Sequence, residues 1–292
     1  MRLLSLSFAA VILFTRAFDA QAGQQAPLRL EVYNPGEQSM FAVSSEIIMG
    51  NKEVMLIDAQ FQRNDAQKLI DKIKATGKRL STIYISQSDP DYYFGLNRLH
   101  TAFPEAKIIA TQATVDTIKA TKDRKLAFWG PKMNDNAPNS LIVPDVLKGD
   151  TLWLEGNKLQ VKGVMADKTF VWIPALKAVV GGVLVVGDNM HVWVADSQTP
   201  QQREDWLASL DEIEKLKPET VVPGHFLPGA PQTLQSVKFT RRYLQTLEHE
   251  LPKTQNSSQL IAAMEAQYPY LKEKSSLEIT AKVLKGEMKW PQ

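Results

Sequence analysis

The chain has 292 residues, 44% of them apolar and 23% charged, with a formal net charge of +2 and no cysteine. That length is enough for a sizeable core, in one large α/β domain or two smaller ones. The near-neutral balance argues against a dedicated nucleic-acid or anionic-membrane surface, and the lack of cysteine excludes a disulfide framework, thiolate metal ligands and thiol lipidation.

Met1-Arg2 carries positive charge, Leu3 to Phe14 is a short apolar run, and Ala20-Gln21-Ala22 places small residues at the cleavage-determining positions. This predicts a signal peptide over residues 1–22, cut after Ala22, and an exported protein that in a bacterium is periplasmic or secreted. The apolar run is too short for a bilayer span, and no later segment approaches one, so no membrane span is expected in the mature chain.

Alternation over Leu28-Arg29-Leu30-Glu31-Val32-Tyr33 predicts a first strand, and Phe41 to Met49 and Val54 to Asp58 predict two more around a Gly50-Asn51 turn. Apolar residues Ala66, Leu69, Ile70 and Ile73 recur at helical spacing before Gly77. The strand through Ile83-Tyr84-Ile85 leads into a polar loop and then a helix from about Tyr92 to Ala102. Lys107 to Ala110 is a short strand, followed by a helix over about Thr114 to Thr121. Between Lys122 and Gly149, Gly130-Pro131 and the Asn-rich run 134–139 predict a long loop, with Phe128 and Trp129 as an apolar wall for a ligand or as burial anchors.

A second strand-rich half runs through Trp153-Leu154, Lys158 to Val164, Thr169 to Ile173 and Ala178 to Val186. A helix over Asp205 to Leu216 follows, and Thr220-Val221-Val222 delivers Pro223-Gly224-His225. Helices are expected over Leu234 to Leu251, Ser258 to Tyr268 and Ser276 to Leu284. Two strand-rich halves, each with helices after it, fit an α+β architecture of two face-to-face sheets with helices outside.

The stretch of greatest chemical interest is Ile85-Ser86-Gln87-Ser88-Asp89-Pro90-Asp91-Tyr92-Tyr93-Phe94-Gly95, two carboxylates on a loop leaving a strand. It resembles the metal-binding loop of the metallo-β-lactamase superfamily, His-x-His-x-Asp-His-x-x-Gly after a strand. Asp91 and Gly95 agree with that pattern, whereas Gln87, Asp89 and Tyr92 stand at its three histidines. The resemblance implies an αββα sandwich over roughly Leu28 to Leu251, within a single domain of residues 23–292 that carries a C-terminal helical extension from about 252. It also implies that Asp58 supports the loop from behind; capping of the following turn is the other reading.

The family's remaining ligands are a turn histidine, a bridging aspartate and a final Gly-His. The first two positions are expected at Ala166 and Val183, neither able to bind a metal, and only His225 of Pro223-Gly224-His225 is retained. With four histidines in the chain, two of them (His100 and His249) in helical stretches, the two-zinc site that activates water is not expected. The candidate ligands are Asp89, Asp91 and His225, with Gln87, Asp188 and His191 as further candidates. Amide, carboxylate and phenolic oxygens suit one hard divalent ion or iron, and Asp89 or Asp91 would serve as general base.

Two functional classes follow for Gln87, Asp89, Asp91, Tyr92 and His225. One is an exported hydrolase of a small ester, lactone or amide working through one non-zinc metal. The other is a metal-free protein that binds a small ligand in the same cleft, with Tyr92, Phe128 and Trp129 in contact. A third class is an interaction protein working through its C-terminal helices. Helix capping is the plain alternative for Asp89, and oligomeric state is not legible.

Overall fold

The computed structural model describes residues 27–290; the expected signal peptide lies outside the described residues. Two sheets form the body. The first has six strands in sequence order, β1 (Arg29–Tyr33), β2 (Ser45–Met49), β3 (Glu53–Ile57), β4 (Arg79–Ile85), β5 (Lys107–Ala110) and β6 (Asp145–Val146). β1 to β3 pair antiparallel, and β3 to β6 pair parallel. The second sheet is ordered β11-β10-β9-β8-β7, from β7 (Thr151–Leu154), β8 (Asn157–Lys162), β9 (Phe170–Ile173), β10 (Ala178–Val180) and β11 (Thr220–Val221).

Strand periodicity decides which side chain goes to which layer. On β2 and β3, Ile48, Met55 and Ile57 point into the sandwich and meet Leu154, Leu159, Val171 and Val180 of the second sheet. Their neighbours Ile47, Val54 and Leu56 point outward against Leu69, Ile70 and Ile73 of α1 (Arg63–Ala75). On the far side, Phe170, Val179 and Val221 are covered by Trp206, Leu210 and Ile213 of α5 (Pro200–Lys215) and by Phe239, Tyr243 and Leu247 of α6 (Leu234–Glu250). α7 (Ser257–Gln267) and α8 (Lys274–Leu284) extend that layer through Leu260, Met264 and Leu277. Each fully buried Leu, Ile, Val or Phe side chain contributes about 1.5–3 kcal/mol. The layers are therefore helix, sheet, sheet, helix, the expected αββα order.

Several local expectations need correction. Residues 122–133 are not loop: α4 runs unbroken from Gln112 to Met133, with Pro131 in its last turn, so Phe128 and Trp129 sit on a helix. Proline so close to a helix end removes little, and packing of Leu126, Trp129 and Met133 against the outer face of the first sheet outweighs the turn signal. The helix expected from Tyr92 is split into α2 (Pro90–Tyr93) and α3 (Leu96–Ala102). Gly95 lies between them, where a Cβ would stand 2.0 Å from the Ala59 carbonyl oxygen. β10 ends at Val180 rather than Val186 because Gly181 and Gly182 take φ of 75° and 82°. α5 starts at Pro200, set by a Thr199–Gln202 capping box that outweighs the later apolar onset.

Candidate functional site

β4 delivers the polar loop to the edge of the sandwich, and Asp58 fixes its path. The Asp58 carboxylate accepts the Ser86 backbone N–H at 2.8 Å, the Ser86 hydroxyl at 2.7 Å and the Gly182 N–H at 3.3 Å. Ser86 O in turn accepts from the N–H and hydroxyl of Thr169 at 3.0 and 2.7 Å, tying the loop to the second sheet. Burial pushes the Asp58 carboxyl up to about 7 in spite of these donors, which favour the charged form. Asp58 therefore braces the loop and lies beneath the cleft.

The loop hands Asp91 and Tyr92 to α2, and a second loop brings His225 to meet them. His225 is held by isolated bridges to Val43 and Val186, and Gly224 before it lies so close to the Gly182 carbonyl that a Cβ would be 2.0 Å from that oxygen. Tyr92 Oη is 3.1 Å from His225 Nδ1, and His225 Nε2 is 2.7 Å from Asp91 Oδ2. Burial and the neighbouring carboxylates of Asp91, Asp58, Asp89 and Glu46 hold the Tyr92 phenol far above its ordinary pKa, so it keeps its proton. In the neutral imidazole the phenol therefore donates to Nδ1, and Nε2–H donates to Asp91. Both ring nitrogens are occupied.

Asp89 stands at the N-cap of α2, but its side chain makes no cap hydrogen bond. Its Oδ1 instead accepts from Lys125 Nζ of α4 at 2.9 Å, and the same ammonium reaches Ser88 O at 3.3 Å. Burial alone would raise the Asp89 carboxyl; Lys125 and Lys168 beside it overcome that and hold it below the usual range. For Lys125, burial works downward and is overridden by Asp89 and Asp196, which raise it. Asp196 accepts from the indole N–H groups of Trp193 and Trp290. Burial, with the Asp89 charge added, pushes its carboxyl up to about 6, against the pull of Lys125 and Lys168.

These groups form the floor of a cleft whose empty space, counted out to its mouth, is about 860 Å3. Asp89, Asp91, His191, His225, Phe128 and Trp129 all line it. Three candidates stand elsewhere, the first being Tyr92, which is fully buried and reaches the site only through its hydrogen bond to His225. Asp188 points away to Gln235 Nε2 at 2.9 Å, because the early end of β10 shifts the segment after it. Gln87 is fully buried, and neither atom of its side-chain amide has a protein partner. His191 Nδ1 lies 2.9 Å from the Tyr243 hydroxyl, and burial lowers the imidazole to about 4, so it is neutral. His100 and His249 are exposed on helices, as their helical setting implies.

Sequence reasoning missed Lys125, Asp196, Trp193 and Trp290. Lys125 carried a readable signal: Thr114, Ile118, Thr121 and Lys125 are spaced on one helical face, and all four are buried. Trp290 comes from the C-terminal extension, which also places Glu273 and Ser276 on the cleft wall. Nothing local in the sequence ties that segment to Asp196.

No family model matches the chain, and no curated protein matches it in sequence. Solved structures do. A metallo-β-lactamase from Pontibacter korlensis superposes with a TM-score of 0.53 at 17% identity, covering 75% of this chain and 95% of that one. The DIM-1 metallo-β-lactamase gives a TM-score of 0.53 at 17% identity, covering 76% of this chain and 99% of that one. The chain has the metallo-β-lactamase fold. The metal group implied by the resemblance can be tested against the residues present.

They do not fit it. The Lys125 ammonium sits on Asp89, and His225 has no free nitrogen. Ala166 offers only its carbonyl oxygen, which accepts from the Thr111 hydroxyl at 2.8 Å. Val183, where the resemblance expects a bridging carboxylate, packs with Val43 and Tyr92 in a small apolar cluster. Among the described residues no group of three or more His, Asp or Glu side chains is arranged to hold a metal ion.

Proposed function

We propose that this is an exported protein that binds a small organic ligand, without a metal, in the cleft between α2, α4 and the His225 loop. The observation that carries this reading is the Lys125 ammonium 2.9 Å from Asp89. A protein cation neutralises the carboxylate that the resemblance would give to a metal. The lining of the cleft suits a small molecule: its walls are apolar, and a few polar groups converge on its floor. Export rests on the charged, apolar and small-residue pattern of residues 1–22. Among the described residues no helix is long and apolar enough to cross a membrane.

The competing reading, hydrolysis of a small ester, lactone or amide through one non-zinc ion, requires Asp89, Asp91 and His225 to release their present partners. Elemental analysis of the full chain, together with thermal melts in EDTA and in millimolar Mg, Mn, Zn and Fe salts, separates the two. We expect no stoichiometric metal and no change in melting temperature with chelator or ion. A near-stoichiometric ion that is lost in both Asp89→Ala and His225→Ala would overturn the reading. A saturating small ligand at about 100 times its dissociation constant should add about 2.7 kcal/mol of stability, which a melt detects readily.

A further inference from the structure

The cleft's own chemistry narrows the ligand class, on the premise that the cleft is a small-molecule site. Its charged lining is one-sided. Asp89, Asp91, Asp196 and Glu273 face it, against the single ammonium of Lys125. That ammonium is already bonded to Asp89 and Ser88 O, so it has little left to offer an anion. Lys168, behind the floor, gives its ammonium to Asp196 O at 3.0 Å and the Ser197 hydroxyl at 3.2 Å. An anionic ligand would be desolvated against excess like charge.

The walls complement the floor. Trp290 stands at the centre of an aromatic group, with ring centroids 5.0 Å from Trp193, 5.3 Å from Phe128 and 6.2 Å from Trp129. Phe41 continues the surface from Trp129, at 5.1 Å, to His225, at 6.5 Å. Aromatic faces carry negative quadrupole density and attract cations, indoles most strongly. One of these rings already does so: the exposed Lys132 ammonium lies 3.8 Å from the Phe128 centroid. The Trp193 and Trp290 N–H groups both point to Asp196, so the two indoles and a carboxylate are held as one unit. A separate sign of a ligand is His191, 1% exposed on the cleft wall, whose Nε2 has no protein partner.

We infer that the cleft takes an organic monocation with an apolar body, an aralkyl- or alkylammonium compound, with its charge between Asp196, Asp91 and the indole faces. The apolar body would lie along Phe41, Phe128 and Val186. Specificity then comes from charge sign as much as from shape, because neutral analogues keep the apolar contacts and lose the cation–π and carboxylate attraction.

The test is isothermal titration of the full chain with three probes of similar size: benzyltrimethylammonium, the neutral 2-methyl-1-phenylpropan-2-ol and the anion 3-phenylpropionate. The ammonium should bind saturably and at least about tenfold more tightly than the alcohol, with no binding of the carboxylate. Asp196→Asn should lower the ratio of ammonium to alcohol affinity about tenfold, the ratio cancelling any shift of the two indoles that share its carboxylate, with circular dichroism reporting that the variant is folded. The inference is overturned if the ammonium does not bind, or if the alcohol or the carboxylate binds as tightly. Binding of the alcohol or carboxylate by metal-free protein would leave the small-ligand reading standing and remove only the cationic class; a stoichiometric metal would remove the metal-free reading itself.

Discussion

Replacing Lys125 by methionine keeps most of the side-chain volume and deletes the charge. The side chains of Lys125 and Asp89 are only 8% and 15% exposed, so the stranded carboxylate cannot rehydrate fully. Breaking a buried pair from one side costs about 3–5 kcal/mol. An independent bound comes from protonation: holding a carboxyl with an ordinary pKa neutral at pH 7 costs about 4 kcal/mol, and Asp89 will take that route if it is cheaper. The two figures agree, and we expect Lys125→Met to lose about 3–4 kcal/mol at pH 7 in urea denaturation. Asp89→Asn combined with Lys125→Met should recover most of that loss, because both charges are gone. The pH dependence has a defined sign. Asp89 has a lowered pKa in the fold, so the stability from its pairing is present above the unfolded value and is lost as pH falls through the folded one. In the variant the stranded carboxyl is instead pushed up by burial, so the penalty should shrink as pH falls from 7 towards the unfolded value near 4, and shrink further below it as the wild-type pairing is lost. A cost below about 1 kcal/mol at pH 7, or a double variant no more stable than the single, would refute the claim that the ammonium neutralises a buried carboxylate.

Glu46 is fully buried on β2, and neither carboxylate oxygen meets a donor in hydrogen-bonding geometry, though Ser44 and the Gly181 N–H are near enough to temper it. Burial, then Asp58, raises it to about 8. The fold thus retains a proton that the unfolded chain releases near pH 4, and stability should fall between roughly pH 4 and pH 8. Glu46→Gln should add a few kcal/mol at pH 8 and almost nothing at pH 4, measured by denaturant titration at both values; equal effects at the two would show that Glu46 is not the titrating group. Gly224→Ala would place a methyl 2.0 Å from Gly182 O and 2.7 Å from Tyr92 Oη. It should cost at least about 2 kcal/mol and break the Tyr92–His225 contact, seen as a shift of the His225 imidazole resonances; an unchanged imidazole spectrum would mean that this approach does not hold the histidine.

The sandwich was legible because its strands read as short apolar runs bounded by turn residues, grouped in two halves with helices after each. Ile47 and Ile48, or Val54 and Met55, are sent to opposite faces by position alone. Errors arose where a tertiary contact overrules a local signal. Gly130-Pro131 reads as a turn, yet the helix continues because Trp129 and Met133 pack on the first sheet. At the site, Asp89, Asp91, Tyr92 and His225 were found through a loop pattern, but their partners were not. Lys125 lies 36 residues beyond Asp89 on another element, and a lysine at a buried helical position reads like any solvated lysine until the phase of Thr114, Ile118 and Thr121 is followed through it. Trp290 joins Asp196 across 94 residues, a contact that no local periodicity encodes.

The arrangement of charge explains why this scaffold can dispense with an added cation. Glu46, Asp58, Asp89 and Asp91 all raise the pKa of the one phenol, Tyr92, so the four carboxyl groups share a small volume. Ionised together without counter-charge, they would repel strongly in a low-dielectric interior. Each is relieved differently: Asp58 by donors from Ser86 and Gly182, Asp89 by the Lys125 ammonium, Asp91 by the Nε2–H of His225, and Glu46 by keeping its proton below about pH 8. A divalent ion entering at Asp89 and Asp91 would have to expel the ammonium and pull His225 off both Asp91 and Tyr92. It would gain two carboxylates that are already compensated. An organic cation entering from the cleft displaces none of these partners, because its charge would be met by Asp196 and the indole faces, on the side of the floor that opens to the ligand.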